Sequence, residues 1–156
     1  MIIAKKHRLE NDLYMGEKII SFTILVKSES LLNSNYYFSK LKNLIIESSK
    51  KENCNILIFL CMPDHIHLIL QGNNKNSNLL SVIKSFKQFS GFYLKKLNSN
   101  FKWHTSFYDH IVRANEDLKN QIYYILYNPI RKEICDDWKD YKFKYSDIYE
   151  FDKWDL

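Results

Sequence analysis

The stretch Asn55–Gln71, NILIFLCMPDHIHLILQ, decides how this chain folds. Asn55–Met62 is a continuous apolar run, the pattern of a strand buried in the middle of a sheet. Pro63 and Asp64 punctuate it. His65–Gln71 follows as a second strand and is closed by Gly72, so the two runs predict a β-hairpin. Strand alternation places His65 and His67 on one face of the second strand, with Ile66, Leu68 and Leu70 on the other.

The flanking sequence builds outward from this hairpin. Ile19–Lys27 (IISFTILVK) is β-branched and aromatic and reads as a strand. Tyr36–Lys51 carries Phe38, Leu41, Leu44 and Ile45 at helical spacing. Asn78–Leu97 repeats that pattern through Leu79, Val82, Ile83, Phe86, Phe89, Tyr93 and Leu97. Phe107–Arg113 reads as a fourth strand. Asn115 is expected to cap a third helix, with Glu116 and Asp117 suiting the positive end of its dipole. That helix is expected to run to about Tyr127 and stop before Pro129. The tail, Ile130–Leu156, gives weak signals. The order β-α-β-β-α-β-α predicts an α+β domain, a ferredoxin-like antiparallel sheet with helices packed on one face.

With 156 residues and no Pro/Gly/Ser-rich linker, residues 1–156 are expected to form one domain. Hydrophobic residues at 46% supply a real core and exclude a disordered chain. No apolar run approaches the length of a membrane span. The start, MIIAKKHRLENDLY, meets charges at once, unlike a secretory signal. Cys54, Cys61 and Cys135 form no CxxC pair, which argues against a disulfide framework or structural zinc and fits a reducing cytoplasm. The net charge of +5 favours a polyanionic partner such as nucleic acid.

Two clusters carry possible chemistry. His65 and His67 lie roughly 6.5–7 Å apart at Cα, two strand rises, so both imidazoles can lean onto one divalent ion. On this pattern alone, hydrogen-bonded histidines of a half-buried strand are the commoner reading. The second cluster is Asn120–Pro129, NQIYYILYNP. Leu118, Ile122, Ile125 and Leu126 form its apolar stripe. Tyr124 and Asn128 lie one turn apart on another side, beside Gln121 and Asp117. A tyrosine can attack phosphorus when its proton is removed, leaving a covalent phosphotyrosine. A tyrosine-rich amphipathic helix also serves as packing.

The two clusters together resemble the HUH single-tyrosine transposases of small insertion sequences and their REP-associated relatives. The resemblance runs from about Ser21 to Tyr145 and rests on CMPDHIHLIL, FKWHTSFYDHIVR and YILYNPIR, in that order. It implies that His65 and His67 are metal ligands and that Tyr124, which heads Tyr-Ile-x-x-Asn, is the nucleophile. Asn128 falls where the insertion-sequence branch has a glutamine ligand, an amide on a longer arm. Asp64 stands where relatives more often have Asn. The implied activity is nicking and rejoining of single-stranded, hairpin-flanked DNA through a 5′-phosphotyrosine, assisted by Mg²⁺ or Mn²⁺. The family works as homodimers in one branch and as monomers in the other, and the sequence leaves both open.

Lys84 and Lys87 on the second long helix, Trp103 before the fourth strand and Arg113 at its end are candidate DNA contacts. A solvated helix face accounts for the lysines equally well, and core packing for the tryptophan. Two other functions compete with the transposase: a ferredoxin-like protein that holds a nucleic-acid hairpin and cuts nothing, and a metal-dependent hydrolase in which water attacks.

Overall fold

The computed structural model describes residues 10–28, 32–114 and 116–154. Five strands form one sheet: β1 (Ile19–Val26), β2 (Cys54–Cys61), β3 (His65–Gly72), β4 (Trp103–Ile111) and β5 (Lys144–Tyr145). Their order is β4-β1-β3-β2-β5, and all the pairings are antiparallel. The helices are α1 (Asn35–Lys51), α2 (Leu79–Leu97), α3 (Leu118–Leu126) and the short α4 (Asn128–Arg131). This is the expected α+β, ferredoxin-like order, extended by one edge strand from the tail. Among the described residues no helix is long and apolar enough to cross a membrane.

Local chemistry places each helix. The Ser34 hydroxyl caps α1 by accepting from the Tyr37 N–H, and Asn78 Oδ1 caps α2 through the Ser81 N–H at 3.0 Å. The expected cap at Asn115 lies outside the described residues; α3 is capped by Asp117, which accepts from the Asn120 N–H at 3.1 Å. Helical geometry also continues past the expected stop. Tyr127 stays right-handed, and Asn128 opens α4 with Pro129 in its first turn. Proline is tolerated there because first-turn N–H groups need no intrahelical acceptor.

The hairpin is where the two faces of the sheet are set. On one face Ile20, Phe22 and Ile24 of β1 and Ile66, Leu68 and Leu70 of β3 pack under α1 and α2. Leu57, Ile58, Leu60 and Ile69 point the other way and are covered by Ile122, Ile125 and Leu126 of α3 and by Trp138, Tyr141 and Phe151 of the tail. The third helix thus lies on the face opposite α1 and α2, which corrects the expected packing of all helices on one face, because β2 offers apolar side chains on both sides. Burial on both faces accounts for the apolar run Ile56–Cys61, and a register shift between Ile56 and Ile58 switches which residues face which side. Before the bulge even-numbered residues face α1 and α2; after it Phe59 and Cys61 do.

Strand β4 begins four residues before the expected Phe107. Trp103 pairs with Val26 of β1, so the strand span takes in the polar His104-Thr105-Ser106, which lie at a register shift between the Ile24↔Phe107 and Val26↔Trp103 pairs. The tail that gave weak signals is tied down by polar anchors. Lys144 donates from its ammonium to the carbonyls of Trp138, Lys139 and Tyr141. Asp147 Oδ2 accepts from the Ile56 N–H at 2.7 Å, and the Tyr141 hydroxyl donates to the Cys61 carbonyl. Burial lowers the Lys144 pKa from its ordinary value, so the carbonyls hold a cation that is partly desolvated. Lys144→Met should therefore lower stability by about 1–3 kcal/mol, with three carbonyls losing a charged donor. Urea unfolding of the two proteins measures it, and superimposable curves would contradict this account of the tail.

Candidate active site

The face of β3 opposite α2 carries His65 and His67. Their Nε2 atoms lie 3.2 Å apart, and their rings are nearly perpendicular, at 87°. His65 Nδ1 is 2.7 Å from Asp64 Oδ1. With the carboxylate accepting, the proton sits on Nδ1 and the Nε2 lone pair points away from it. His67 lies opposite Thr23 of β1, whose hydroxyl is 3.5 Å from Nδ1. Burial foremost, then the neighbouring His65 and Arg131, push the His67 pKa down to about 3. Its imidazole is thus neutral near pH 7, the form that offers a lone pair.

Asn128 completes the cluster from 61 residues away. Its carboxamide nitrogen is 2.8 Å from His67 Nε2 and 3.3 Å from His65 Nε2, and the residue is 7% exposed. The amide donates toward both lone pairs; a half-turn about its last torsion brings Oδ1 to the same place. Three groups therefore converge on one point. Two ligands about 2.1 Å from one octahedral ion, at right angles, stand about 3.0 Å apart, close to the imidazole spacing. The donor set of two neutral imidazoles and an amide fits a divalent ion. Among the described residues no group of three His, Cys, Asp or Glu side chains is arranged to hold a metal.

The tyrosine helix closes the other side. A cleft of about 690 Å³ is lined by Ser21, Thr23 and Leu25 of β1, the two histidines, Tyr108, and Gln121, Tyr124, Ile125, Asn128 and Lys132 of the tyrosine helix and the segment after it. Tyr124 is 64% exposed and off the apolar stripe, as its position in the helical repeat predicts. Tyr123 packs instead against Trp154, with ring centroids 5.1 Å apart, and Tyr127 packs against the second core.

Other candidates fall elsewhere. Trp103 is 8% exposed; it packs on Phe86 and Phe101 and donates to Ser90 Oγ at 3.0 Å. Its faces are covered, so the expectation that it stacks on bases is corrected. Lys87 turns inward and donates to the His104 carbonyl at 2.7 Å. Lys84 and Arg113 are exposed. His110 bonds Glu116 at 2.7 Å, and Glu116 also accepts from Gln121 Nε2 at 2.8 Å. This chain of bonds links β4 to the start of α3. Cys54 and Cys61 are buried, and burial raises the Cys54 thiol pKa to about 12.

Sequence reasoning missed two participants. Asp64 was visible as an acid next to a histidine, but its bond depends on the turn between β2 and β3. Tyr108 enters the cleft because β4 pairs with β1 in the register Thr23↔Tyr108. If Asp64 orients His65, Asp64→Ala should weaken Mn²⁺ binding about tenfold, as loss of an outer hydrogen-bond partner does. Calorimetry tests this, and unchanged affinity would leave Asp64 without that role.

An antiparallel α+β sheet with two histidines on its central hairpin, faced across a cleft by a tyrosine helix, defines the class of HUH single-tyrosine transposases. The chain belongs to the IS200-like transposases: the family described as "Transposase IS200 like" matches residues 19–128. A transposase role, and with it DNA processing, follows from that membership. A Haemophilus influenzae protein named as a REP-associated tyrosine transposase is 25% identical over 132 residues, covering 75% of this chain and 74% of that one. A solved REP-associated tyrosine transposase bound to a REP hairpin has the same fold, with a TM-score of 0.75 over 90% of this chain and 81% of that one, at 18% identity. A crystal structure of a chain assigned as a transposase from Deinococcus radiodurans R1 matches with a TM-score of 0.52 and 17% identity, over 80% of this chain and 96% of that one.

Proposed function

We propose that residues 1–156 form one catalytic domain that nicks and rejoins single-stranded DNA next to a hairpin, with Tyr124 as nucleophile. The observation that carries this reading is the convergence of His65, His67 and Asn128 in the same cleft that Tyr124 lines. The Tyr124 phenol oxygen attacks the scissile phosphorus. The phosphorus–oxygen bond to the 3′ side breaks, and that oxygen takes up a proton as the phenol gives one up to solvent. The products are a 5′-phosphotyrosine and a free 3′-OH. A later 3′-OH reverses the step, and one phosphodiester is exchanged for another throughout, so no ATP is consumed.

His65, His67 and Asn128 would hold Mg²⁺ or Mn²⁺, which when bound neutralises charge developing on the phosphate oxygens. Asp64 orients His65, and the buried, neutral His67 keeps its lone pair available. The solved relative that holds a REP hairpin supports hairpin DNA as the substrate here. Exposed Lys84 and Arg113 are suited to phosphate contacts that position DNA without reading its sequence.

The test is incubation with single-stranded DNA carrying a hairpin and an unpaired flank, followed by a denaturing gel. A protein-linked DNA band is expected in the presence of Mn²⁺. A hairpin-binding protein without chemistry gives retention but no such band, and a water-using hydrolase gives cut DNA free of protein. Either pattern would overturn the proposal.

A further inference from the structure

Tyr124 belongs to α3, but Asn128 belongs to α4, and the chain changes helix between them. Pro129 has no N–H to give the Ile125 carbonyl, so one bond of the helical ladder is missing at that junction. A helix lacking a ladder bond is free to bend there. The proposed nucleophile and the proposed amide ligand thus sit on opposite sides of a weak point. Any bend changes the distance between them.

Arg131 spans this junction. Its Nη2 donates to the Tyr124 carbonyl at 2.6 Å, and its Cζ lies 3.9 Å from the centroid of the Tyr124 ring. One planar group therefore holds both the backbone and the side chain of Tyr124. Among the described residues the guanidinium is the one group stacked on this ring. Tyr123 packs on Trp154, and Tyr127 packs in the second core; Tyr124 has no such apolar seat. A flat guanidinium can stack and donate sideways at once, whereas a lysine ammonium, a point charge on a flexible stem, cannot do both in this geometry.

We propose that Arg131 is the positioning residue for the nucleophile: it clamps Tyr124 across the α3–α4 break and so fixes the phenol relative to the His65–His67–Asn128 cluster. The proposal rests on Tyr124 being the attacking residue. It deepens that reading by naming what holds an exposed side chain in a reactive orientation.

The test pairs single-turnover adduct formation with a separate measurement of DNA affinity, on wild type, Arg131→Lys and Arg131→Ala. Both variants should form the adduct about 10- to 100-fold more slowly while binding hairpin DNA within about twofold of wild type. A wild-type rate in Arg131→Ala, or full recovery in Arg131→Lys, would overturn the clamp; the second result would assign the effect to charge alone. Affinity falling in step with rate would also overturn it, by making Arg131 a DNA contact.

A second measurement needs no DNA. The δ-methylene protons of Arg131 should resonate upfield in the ring current of Tyr124 and return toward ordinary values in Tyr124→Leu. No displacement in the wild-type spectrum would sink the clamp whatever the enzyme does. If wild type forms no adduct on Tyr124, the proposed function fails and the positioning role falls with it; a wild-type adduct with no ring-current displacement overturns the clamp alone.

Discussion

Tyr124→Phe is expected to bind hairpin DNA as wild type does and to form no covalent protein–DNA species at all. The ring stays, so its stacking under Arg131 stays, while the only atom proposed to attack is removed. The side chain is 64% exposed and off the core stripe, so the cost to folding should stay within about 0.5 kcal/mol. Tyr127→Phe is the internal control: its ring packs in the second core, and adduct formation should survive the loss of its hydroxyl. Mass spectrometry of the trapped wild-type adduct places the nucleotide directly. A nucleotide on Tyr123 or Tyr127, or an active Tyr124→Phe protein, would show that another residue attacks.

The second large effect is expected at His67. His67→Ala should weaken Mn²⁺ binding by more than about 100-fold, because loss of an outer partner alone typically costs about 10–100-fold and this change deletes a proposed ligand. It also leaves the Asn128 amide without its nearer partner, at 2.8 Å. His110→Ala makes a demanding comparison. That ring lies elsewhere, bonded to Glu116, so its removal should leave Mn²⁺ affinity unchanged. Equal binding by wild type and His67→Ala in calorimetry would remove the histidine pair from the proposed chemistry, and the hairpin-binding alternative would gain.

The parts of this protein that are legible in its sequence are those governed by local periodicity. A strand repeats every two residues, so the shared face of His65 and His67 follows from the chain itself. A helix repeats every 3.6 residues, so the separation of Tyr124 from Ile122, Ile125 and Leu126 follows as well. Neighbouring residues impose these patterns on one another through backbone geometry alone. The hairpin, both long helices and the α+β order are of this kind, and their bounds in the structure differ from the expected ones by at most one residue.

What the sequence leaves undecided depends on segments that meet only after folding. The uninterrupted apolar run of β2 conceals a bulge that switches its parity, and that switch gives α3 a second apolar face to cover. Once Ile122, Ile125 and Leu126 pack there, Asn128 is carried to the histidines, 61 and 63 residues away in the chain. Trp103 is exposed or buried according to where α2 and the pairing with Val26 place it, not according to its neighbours in sequence. Local periodicity, fixed by bond geometry, determined the faces of His65, His67 and Tyr124. Burial of apolar surface between distant segments, which no short stretch encodes, decided that those faces meet in one cleft.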